Sequence, residues 1–229
     1  MPDLLTIALD GPAGAGKSTI AKLLAKQLSV LYLDTGAMYR AIGLKAIRTG
    51  ISVRDESAVS EMLRDTQLEI IFADGNQSVI LDGEDVSLAI RTPEASLAAS
   101  DISALPVVRI HLVEMQRQMA AHQSLILDGR DIGTYVLPDA PFKFFLTADP
   151  GERARRRLLD LQARGDLTTT LEQVRQDMEY RDRQDSQRSL APLKQADDAI
   201  LVDTTSMSIE QVVKSIIRSI RQVKDEQKT

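Results

Sequence analysis

One stretch of the sequence decides the fold, Gly11-Pro12-Ala13-Gly14-Ala15-Gly16-Lys17-Ser18. It matches the P-loop pattern G-x-x-x-x-G-K-[ST], in which a glycine-rich loop joins a strand to a helix. The run from Leu4 to Leu9 before it is nearly continuous apolar sequence, as in a strand that is buried on both faces. The segment from Lys17 to Leu28 then repeats isoleucine and leucine at helical spacing. The chain therefore begins with a strand, a phosphate-binding loop and a helix.

The same alternation of apolar strand and helix continues along the chain. Four further strand-like runs occur at Val30 to Leu33, Leu125 to Leu127, Phe142 to Leu146 and Ile200 to Val202. Helical patterns lie between and after them, at Glu94 to Ala104, Val107 to Ala121 and Ile209 to Val223. Strands that alternate with helices are typical of a parallel sheet. We therefore predict an α/β chain with the three-layer P-loop fold and a five-stranded parallel sheet.

One region breaks this alternation. Three short β-like runs occur at Leu68 to Phe72, Ser78 to Leu81 and Glu84 to Val86. They are separated by Asp74-Gly75-Asn76 and Asp82-Gly83, both of which are strong hairpin signals. A length of 229 residues permits one large domain. We therefore expect a single domain over residues 1–229 that carries a small antiparallel insert.

The composition excludes several classes of function. The chain has no Cys, which excludes disulfides, thiolate metal sites and cysteine nucleophiles. Its formal net charge of −5 argues against a general nucleic-acid binder. The N-terminus lacks a signal-peptide pattern, and no run approaches about 18 apolar residues. We predict a cytoplasmic protein with no membrane or nucleic-acid partner, and a monomer is the default expectation.

The P-loop predicts a site for the phosphates of a nucleotide. Its glycines let the loop curl so that backbone N–H groups point at phosphate oxygens, and the helix N-terminus adds its positive dipole end. In this motif Lys17 reaches the β and γ phosphates, and the Ser18 hydroxyl binds Mg²⁺. A glycine-rich turn with an ordinary surface lysine is the alternative, which the strand and helix context disfavours.

A second signal is the choice of arginine in the segment 153–188, which contains nine arginines and no lysine. Guanidinium groups hold phosphate through two parallel hydrogen bonds and keep their charge. Arg153 and Arg157 are four residues apart, as are Arg181 and Asp185, so that each pair shares a helix face. Surface ion pairing is the alternative for any single arginine, but the whole cluster favours phosphate binding.

A third signal is the tetrapeptide Asp128-Gly129-Arg130-Asp131, which directly follows an apolar strand. In open parallel sheets, ligands bind beyond the carboxyl ends of the strands. Arg130 is suited to a phosphate, and Asp131 is suited to accept a hydrogen bond from the exocyclic amine of cytosine. Turn-forming hydrogen bonds are the alternative for Asp128 and Asp131. The segment from Asp34 to Arg40 follows the second strand and is placed equally well.

Together these features resemble the bacterial cytidylate kinase family over essentially the full length of the chain. The resemblance rests on the P-loop, Asp34 to Arg40, Asp128 to Asp131, Arg181 to Arg188 and Ala191-Pro192-Leu193. It implies that the γ-phosphoryl group of ATP is transferred to CMP or dCMP with the help of Mg²⁺. It also implies a monophosphate-binding region with the β insert at about residues 36–105, and a short lid at about residues 150–167. Thr35 stands where the family pattern has Ser, which keeps the hydroxyl and adds a methyl group.

The resemblance also implies a role for individual residues. ATP is expected to contact Gly11, Pro12, Ala13, Gly14, Ala15, Gly16, Lys17, Ser18, Thr19 and Arg153. The acceptor's phosphate is expected near Thr35, Arg40, Arg130 and Arg188, and its sugar hydroxyls near Arg181 and Asp185. The base is expected to contact Tyr39, Ser100, Arg109 and Asp131, and Asp128 is expected to line the same site. The residues expected to act in catalysis are Lys17, Arg130, Arg157 and Arg188.

Two alternatives remain open from the sequence. The first is another nucleoside-monophosphate kinase, such as one acting on UMP. Base recognition disfavours it, because uracil would turn a carbonyl towards the Asp131 carboxylate without a donor between them. The second is a nucleotide-binding ATPase module without transferase activity, whose ADP formation would not depend on added CMP.

Overall fold

A computed structural model describes residues 4–73 and 75–226 of the chain, with side chains up to residue 223. The strands are β1 (Thr6–Asp10), β2 (Leu31–Asp34), β3 (Leu68–Ala73), β4 (Asn76–Leu81), β5 (Glu84–Asp85), β6 (Leu125–Asp128), β7 (Phe142–Thr147) and β8 (Ile200–Asp203). The helices are α1 (Lys17–Leu28), α2 (Thr35–Thr49), α3 (Glu56–Arg64), α4 (Pro93–Ile102), α5 (Pro106–His122), α6 (Pro150–Ala163), α7 (Leu171–Gln187) and α8 (Ile209–Glu226). A 3₁₀ turn at Ala89–Arg91 and a π-helical turn at Ile132–Val136 complete the elements.

The larger sheet has five parallel strands in the order β2-β6-β1-β7-β8, as predicted. Its central strand β1 is apolar on both faces because helices cover both. Ile7 and Leu9 enter a core shared with α1 and α8, whereas Ala8 enters a core shared with α2 and α5. This gives the three predicted layers, and it brings the carboxyl ends of all five strands to one edge.

The predicted antiparallel insert is present as the sheet β3-β4-β5. Its second turn has Asp82 and Gly83 at φ 51° and 83°, the left-handed conformation that this hairpin sequence favours. Asp74 of the other predicted turn lies outside the described residues. The insert contacts the main sheet through Gln77, whose Oε1 accepts a hydrogen bond from the Asp34 backbone N–H at 2.7 Å. The insert therefore lies beside the end of β2.

Helix α3 is an element for which the sequence reasoning made no prediction. Asp55 caps it by accepting a hydrogen bond from the Ala58 N–H, and Glu56 adds a negative charge to its first turn. Val59, Met62 and Leu63 are buried on its inner face. At nine residues the helix is short, and this apolar face rather than its intrinsic propensity accounts for its stability.

Helices α6 and α7 form a pair with a small core of their own. That core consists of Ala154, Leu161, Val174 and Met178, together with Ala13 of the P-loop. The pair therefore rests directly on the phosphate-binding loop.

No single helix among the described residues is long and apolar enough to span a membrane. Helices α4 and α5 meet the length and composition criteria only as a pair, which is bent by 101° at the break between them.

Candidate active site

A cleft of about 870 Å³ opens at the carboxyl edge of the parallel sheet. Its volume lies in the range of about 300–1,000 Å³ that is usual for small-molecule sites. Three neighbouring strands end there in an aspartate, Asp34 on β2, Asp128 on β6 and Asp10 on β1. Asp34 and Asp128 are register partners, so that their backbones lie side by side. The floor of the cleft is therefore acidic, and lysine and arginine side chains lie around these aspartates.

The P-loop forms one wall of this cleft. Gly14 and Gly16 have φ angles of 74° and 89°, a left-handed conformation that costs glycine little. The Lys17 Nζ donates hydrogen bonds to the carbonyls of Gly11 and Pro12 at 2.7 and 2.8 Å. Burial and the nearby Arg130 lower the pKa of Lys17 below its usual range. The loop thus carries a buried amine at the start of α1.

A hydroxyl and a carboxylate meet at the foot of the P-loop. The Ser18 Oγ donates a hydrogen bond to the Asp128 Oδ2 at 2.7 Å, and the Thr35 Oγ1 donates to the Asp128 backbone carbonyl at 2.7 Å. Burial, together with the charge of Asp34, raises the pKa of Asp128 above its usual range. Hydroxyl and carboxylate oxygens are the ligands that Mg²⁺ prefers, and additional positive charge here would offset the buried carboxylates. The donor set therefore fits Mg²⁺.

Arginine and carboxylate side chains alternate on the opposite wall. The Arg130 Nε donates to Asp185 at 2.7 Å, and an Arg188 Nη2 lies 3.4 Å from the other oxygen of Asp185. Arg181 lines the same wall and makes no ion pair with any residue that the structure describes. Burial and the nearby Arg130 lower the pKa of Arg181 to about 10. One carboxylate thus pairs with two guanidinium groups, the half-buried Arg130 and the buried Arg188, and a third lies beside them.

A further pair connects α2 to the acidic edge. The Arg40 Nη2 donates to Asp34 at 2.7 Å, and Asp34 also caps α2 by accepting from the Ala37 N–H at 3.0 Å. Burial would raise the pKa of Asp34, but Arg40 and Arg91 lower it on balance. Arg40 is thereby directed into the cleft beside the Asp128 segment.

A buried polar pocket adjoins this wall. Arg109 is fully buried and donates to Asp131, and its guanidinium carbon lies 5.6 Å from the centre of the Tyr39 ring. Burial raises the pKa of Tyr39 to about 12. The Ser100 Oγ and the Arg109 Nε are buried without a hydrogen-bond partner among the described residues. Since buried polar groups are nearly always paired in proteins, these two groups are suited to a polar ligand.

The structure brings most of the predicted site residues to this one cleft. The cleft lining includes residues 13–20, Thr35, Tyr39, Arg40, Ser100, Asp128, Arg130, Asp131, Arg157, Arg181, Asp185 and Arg188. Arg109 lies behind this lining, where it contacts Asp131 and Tyr39. Arg157 is paired with Asp160 at 2.9 Å, and burial lowers the pKa of Arg157.

Arg153 has a different environment from the predicted one. Its guanidinium donates to the Ala148 and Ala13 carbonyls and to Asp182, and it does not line the cleft. The physical reason is that α6 lies against the P-loop, so that its buried face points at the loop rather than at the space above it.

Two residues that take part in this architecture were missed by the sequence reasoning. Asp10 is buried and accepts hydrogen bonds from the Ile132 and Gly133 N–H groups at 2.8 and 2.7 Å. Its position at the end of the central strand, equivalent to those of Asp34 and Asp128, was a usable signal. Asp182 contacts the P-loop residue Ala13, and no local pattern in the sequence indicates a contact over that distance.

Comparisons with known sequences agree with one another. The cytidylate kinase family model matches residues 7–222. The cytidylate kinase of Caldicellulosiruptor bescii is 50% identical over 213 residues, which cover 93% of this chain and 94% of that protein. The cytidylate kinase of Desulfitobacterium hafniense is 53% identical, with 93% and 91% covered. A solved structure of an uncharacterized protein from Eubacterium ventriosum superposes with a TM-score of 0.54 at 13% identity, covering 96% and 99% of the two chains. At that identity the last likeness concerns the fold alone.

Proposed function

The chain belongs to the cytidylate kinase family, and we propose that it transfers the γ-phosphoryl group of ATP to CMP or dCMP. The observation that carries this proposal is the composition of a single cleft. A P-loop forms one of its walls, and the half-buried guanidinium groups of Arg130 and Arg181 form the other, together with the buried guanidinium group of Arg188. Beside them is a pocket whose Asp131 and Ser100 are suited to an amino-pyrimidine.

On the donor side, the triphosphate of ATP would contact the backbone N–H groups of the P-loop and the start of α1. Lys17 is near enough to exchange its contacts with the Gly11 and Pro12 carbonyls for phosphate oxygens. Ser18 and Asp128 are the residues suited to hold Mg²⁺, directly or through water. When bound, Mg²⁺ would neutralise charge on the β and γ phosphates.

On the acceptor side, the phosphate of CMP would lie among Thr35, Arg40, Arg130 and Arg188. Each of these arginines already faces a carboxylate, so that the phosphate would share or replace that partner. Arg181 and Asp185 supply a donor and an acceptor for the sugar hydroxyls. Their spacing of four residues places both on one face of α7.

The base would enter the pocket formed by Tyr39, Ser100, Arg109 and Asp131. Asp131 accepts from the 4-amino group of cytosine, while Arg109 and Ser100 donate to its ring nitrogen and carbonyl. The ion pair between Arg109 and Asp131 fixes both groups in place. Uracil presents a carbonyl where cytosine has its amine, and it would leave Asp131 without a donor.

The chemistry requires charge neutralisation more than proton transfer. The acceptor is a phosphate oxygen that is already ionised at neutral pH, so no dedicated general base is needed. Two polyanions must instead approach in line, which is favourable only where fixed cations surround them. Lys17, Arg130, Arg157 and Arg188 are the cations that we assign to this task.

We also propose that the chain is one kinase domain over residues 1–229 and acts as a cytoplasmic monomer. Residues 36–105 would form the monophosphate-binding region, and residues 150–167 a lid that excludes water from ATP. Amide hydrogen exchange in 150–167 should slow when both nucleotides are added. An unchanged exchange rate there would remove the lid from the proposal.

A panel of nucleoside monophosphates with Mg-ATP tests the proposed function. ADP formation should depend strongly on added CMP or dCMP, and UMP should be a poor acceptor because of the unpaired Asp131 carboxylate. A preference for UMP would favour the other monophosphate kinase, and ADP formation without any acceptor would favour the ATPase module.

A further inference from the structure

Both backbone polar groups of Ala13, in the first turn of the P-loop, are held by side chains from distant helices. Asp182 of α7 accepts a hydrogen bond from the Ala13 N–H at 3.3 Å. Arg153 of α6 donates one to the Ala13 carbonyl at 2.9 Å. Arg153 and Asp182 also form an ion pair at 2.6 Å. We refer to Ala13, Arg153 and Asp182 as the Ala13 bracket.

Packing around the bracket leaves little freedom for the loop. A Cβ added to Gly14 would lie 2.8 Å from the Met178 Cε and 3.0 Å from the Arg153 carbonyl oxygen. Ala13 itself is buried in the small core of α6 and α7. Glycine is required at position 14 both for its left-handed backbone and for this close approach.

The ion pair between Arg153 and Asp182 is largely shielded from solvent, as in a strong contact. The side chains of Arg153 and Asp182 are 10% and 23% exposed, so that water screens their ion pair only in part. A second nitrogen of Arg153, its Nε, donates to the Ala148 carbonyl at 3.2 Å. The guanidinium is thus committed to protein partners, and it does not face the cleft.

The same helix carries residues of the acceptor site. Arg181 precedes Asp182 and Asp185 follows it by three residues, and both line the cleft. The bracket therefore ties the donor loop to the helix that holds the acceptor residues. A bound triphosphate and a bound monophosphate would be placed relative to each other through this link.

We propose that Arg153 and Asp182 are positioning residues, which act through Ala13 to hold the P-loop in its ATP-binding shape and in register with α7. This inference rests on the proposed kinase function and assigns neither residue a contact with substrate. Loss of the bracket should weaken the donor site selectively, because α7 remains held to α6 by their shared apolar core.

The test is Asp182→Asn, which keeps the shape of the side chain and removes the charge that holds Arg153. We expect the Kd for the ATP analogue AMP-PNP and the KM for ATP to rise about 10-fold, the size expected for one charge-assisted contact. The Kd for CMP should change little, because the shared apolar core keeps α7 on α6. The melting temperature should fall only modestly, because Arg153 keeps its hydrogen bonds to the Ala13 and Ala148 carbonyls. Asp177→Asn on the exposed side of α7 is the matched control and should leave all of these values unchanged.

Two further variants separate positioning from simple stability. Asp182→Glu keeps the carboxylate and should recover most of the ATP affinity. Arg153→Met combined with Asp182→Asn should be no worse than the single variants, because the two residues act as one unit. Two outcomes would overturn the inference. The first is that binding of AMP-PNP and binding of CMP weaken equally as the melting temperature falls. The second is that AMP-PNP binding is unchanged. Failure of the unaltered protein to form ADP with CMP would instead contradict the proposed function. The AMP-PNP measurement does not depend on that function, so the two failures can be distinguished.

Discussion

The proposed donor half and the proposed acceptor half of the cleft are built in different ways. The proposed donor half is one contiguous stretch, residues 13–19, whose binding groups would be mainly backbone N–H groups shaped by glycine. The acceptor half collects side chains from α2, α4, α5, α7 and the segment after β6. Its arginines are buried or half-buried, and they are held by carboxylates, as in the pairs of Arg40 with Asp34, Arg109 with Asp131 and Arg130 with Asp185.

This difference follows from how each half can be made electropositive. Backbone dipoles carry no net charge, so a loop and a helix start can be buried without a counter-ion. Guanidinium groups repel one another and lose hydration when buried, so they need carboxylates between them. A substitution in the donor half should therefore act mainly on the bound phosphates. A substitution in the acceptor half should also disturb the carboxylate that it leaves behind.

Lys17→Met gives the largest expected effect and the sharpest separation of the two halves. We expect kcat to fall by about 10³-fold, as for the loss of a cation that stabilises the phosphoryl-transfer transition state. The Kd for CMP should remain near its original value, since Lys17 lies in the donor half. Steady-state kinetics and calorimetry measure the two effects, and Lys26→Met at the exposed end of α1 is the control. Loss of CMP binding in step with kcat would show that the halves are not separable.

Arg188→Ala tests the acceptor half and should have the next largest effect. The fold should be retained, while kcat/KM for CMP falls by at least about 100-fold, because a buried cation is lost and Asp185 keeps Arg130 alone as an ion-pair partner among the described residues. AMP-PNP affinity should be preserved. Arg183→Ala on the exposed face of α7 is the matched control. Near-normal kinetics of Arg188→Ala would remove Arg188 from the site.

Asp10→Asn gives the smallest expected effect, at the junction of the two halves. Burial raises the pKa of Asp10 to about 6 from its usual 3.8, although the Gly133 and Ile132 N–H groups oppose the shift. The folded state therefore binds this proton more tightly than the unfolded state does. The resulting stabilisation is complete below about pH 4 and is lost as the pH rises through about 6. At 1.36 kcal/mol per pKa unit, the change amounts to at most about 3 kcal/mol.

Urea unfolding between about pH 4 and pH 7 measures this contribution. Asp10→Asn is expected to be less stable overall, because the two N–H groups bond different carboxylate oxygens and the amide nitrogen that replaces one of them cannot accept. Its free energy of unfolding should nevertheless fall less steeply with rising pH than that of the unaltered protein. Asp177→Asn should keep the original slope. Identical slopes for Asp10→Asn and the unaltered protein would show that Asp10 does not titrate in this range.

Much of the architecture follows from local sequence. The P-loop was predictable because its glycine spacing reflects backbone stereochemistry, which is a property of the stretch itself. The five strands were predictable because burial on both faces demands continuous apolar residues, as in Ile7, Ala8 and Leu9. The turn at Asp82-Gly83 was predictable because those residues adopt a left-handed backbone readily. The short helix α3 was missed although its sequence carries a usable signal, an Asp55 cap followed by Val59, Met62 and Leu63 at helical spacing.

The arginines mark the limit of prediction from the sequence. Their number and the spacing of Arg153 and Arg157 indicated phosphate chemistry, and helical spacing placed both on one side of α6. Spacing does not give the direction in which that side faces. Contact between α6 and the P-loop turned Arg153 towards Ala13 and left Arg157 at the cleft.

By itself, therefore, the sequence determined the fold class, the P-loop and the kinds of residue available to the proposed acceptor site. The tertiary structure alone decided which arginine met which carboxylate, and it brought Asp182 to Ala13 across 169 residues of chain. The physical reason is that backbone conformation is set by neighbouring residues. The partner of a buried charge is set by whichever element packs against it.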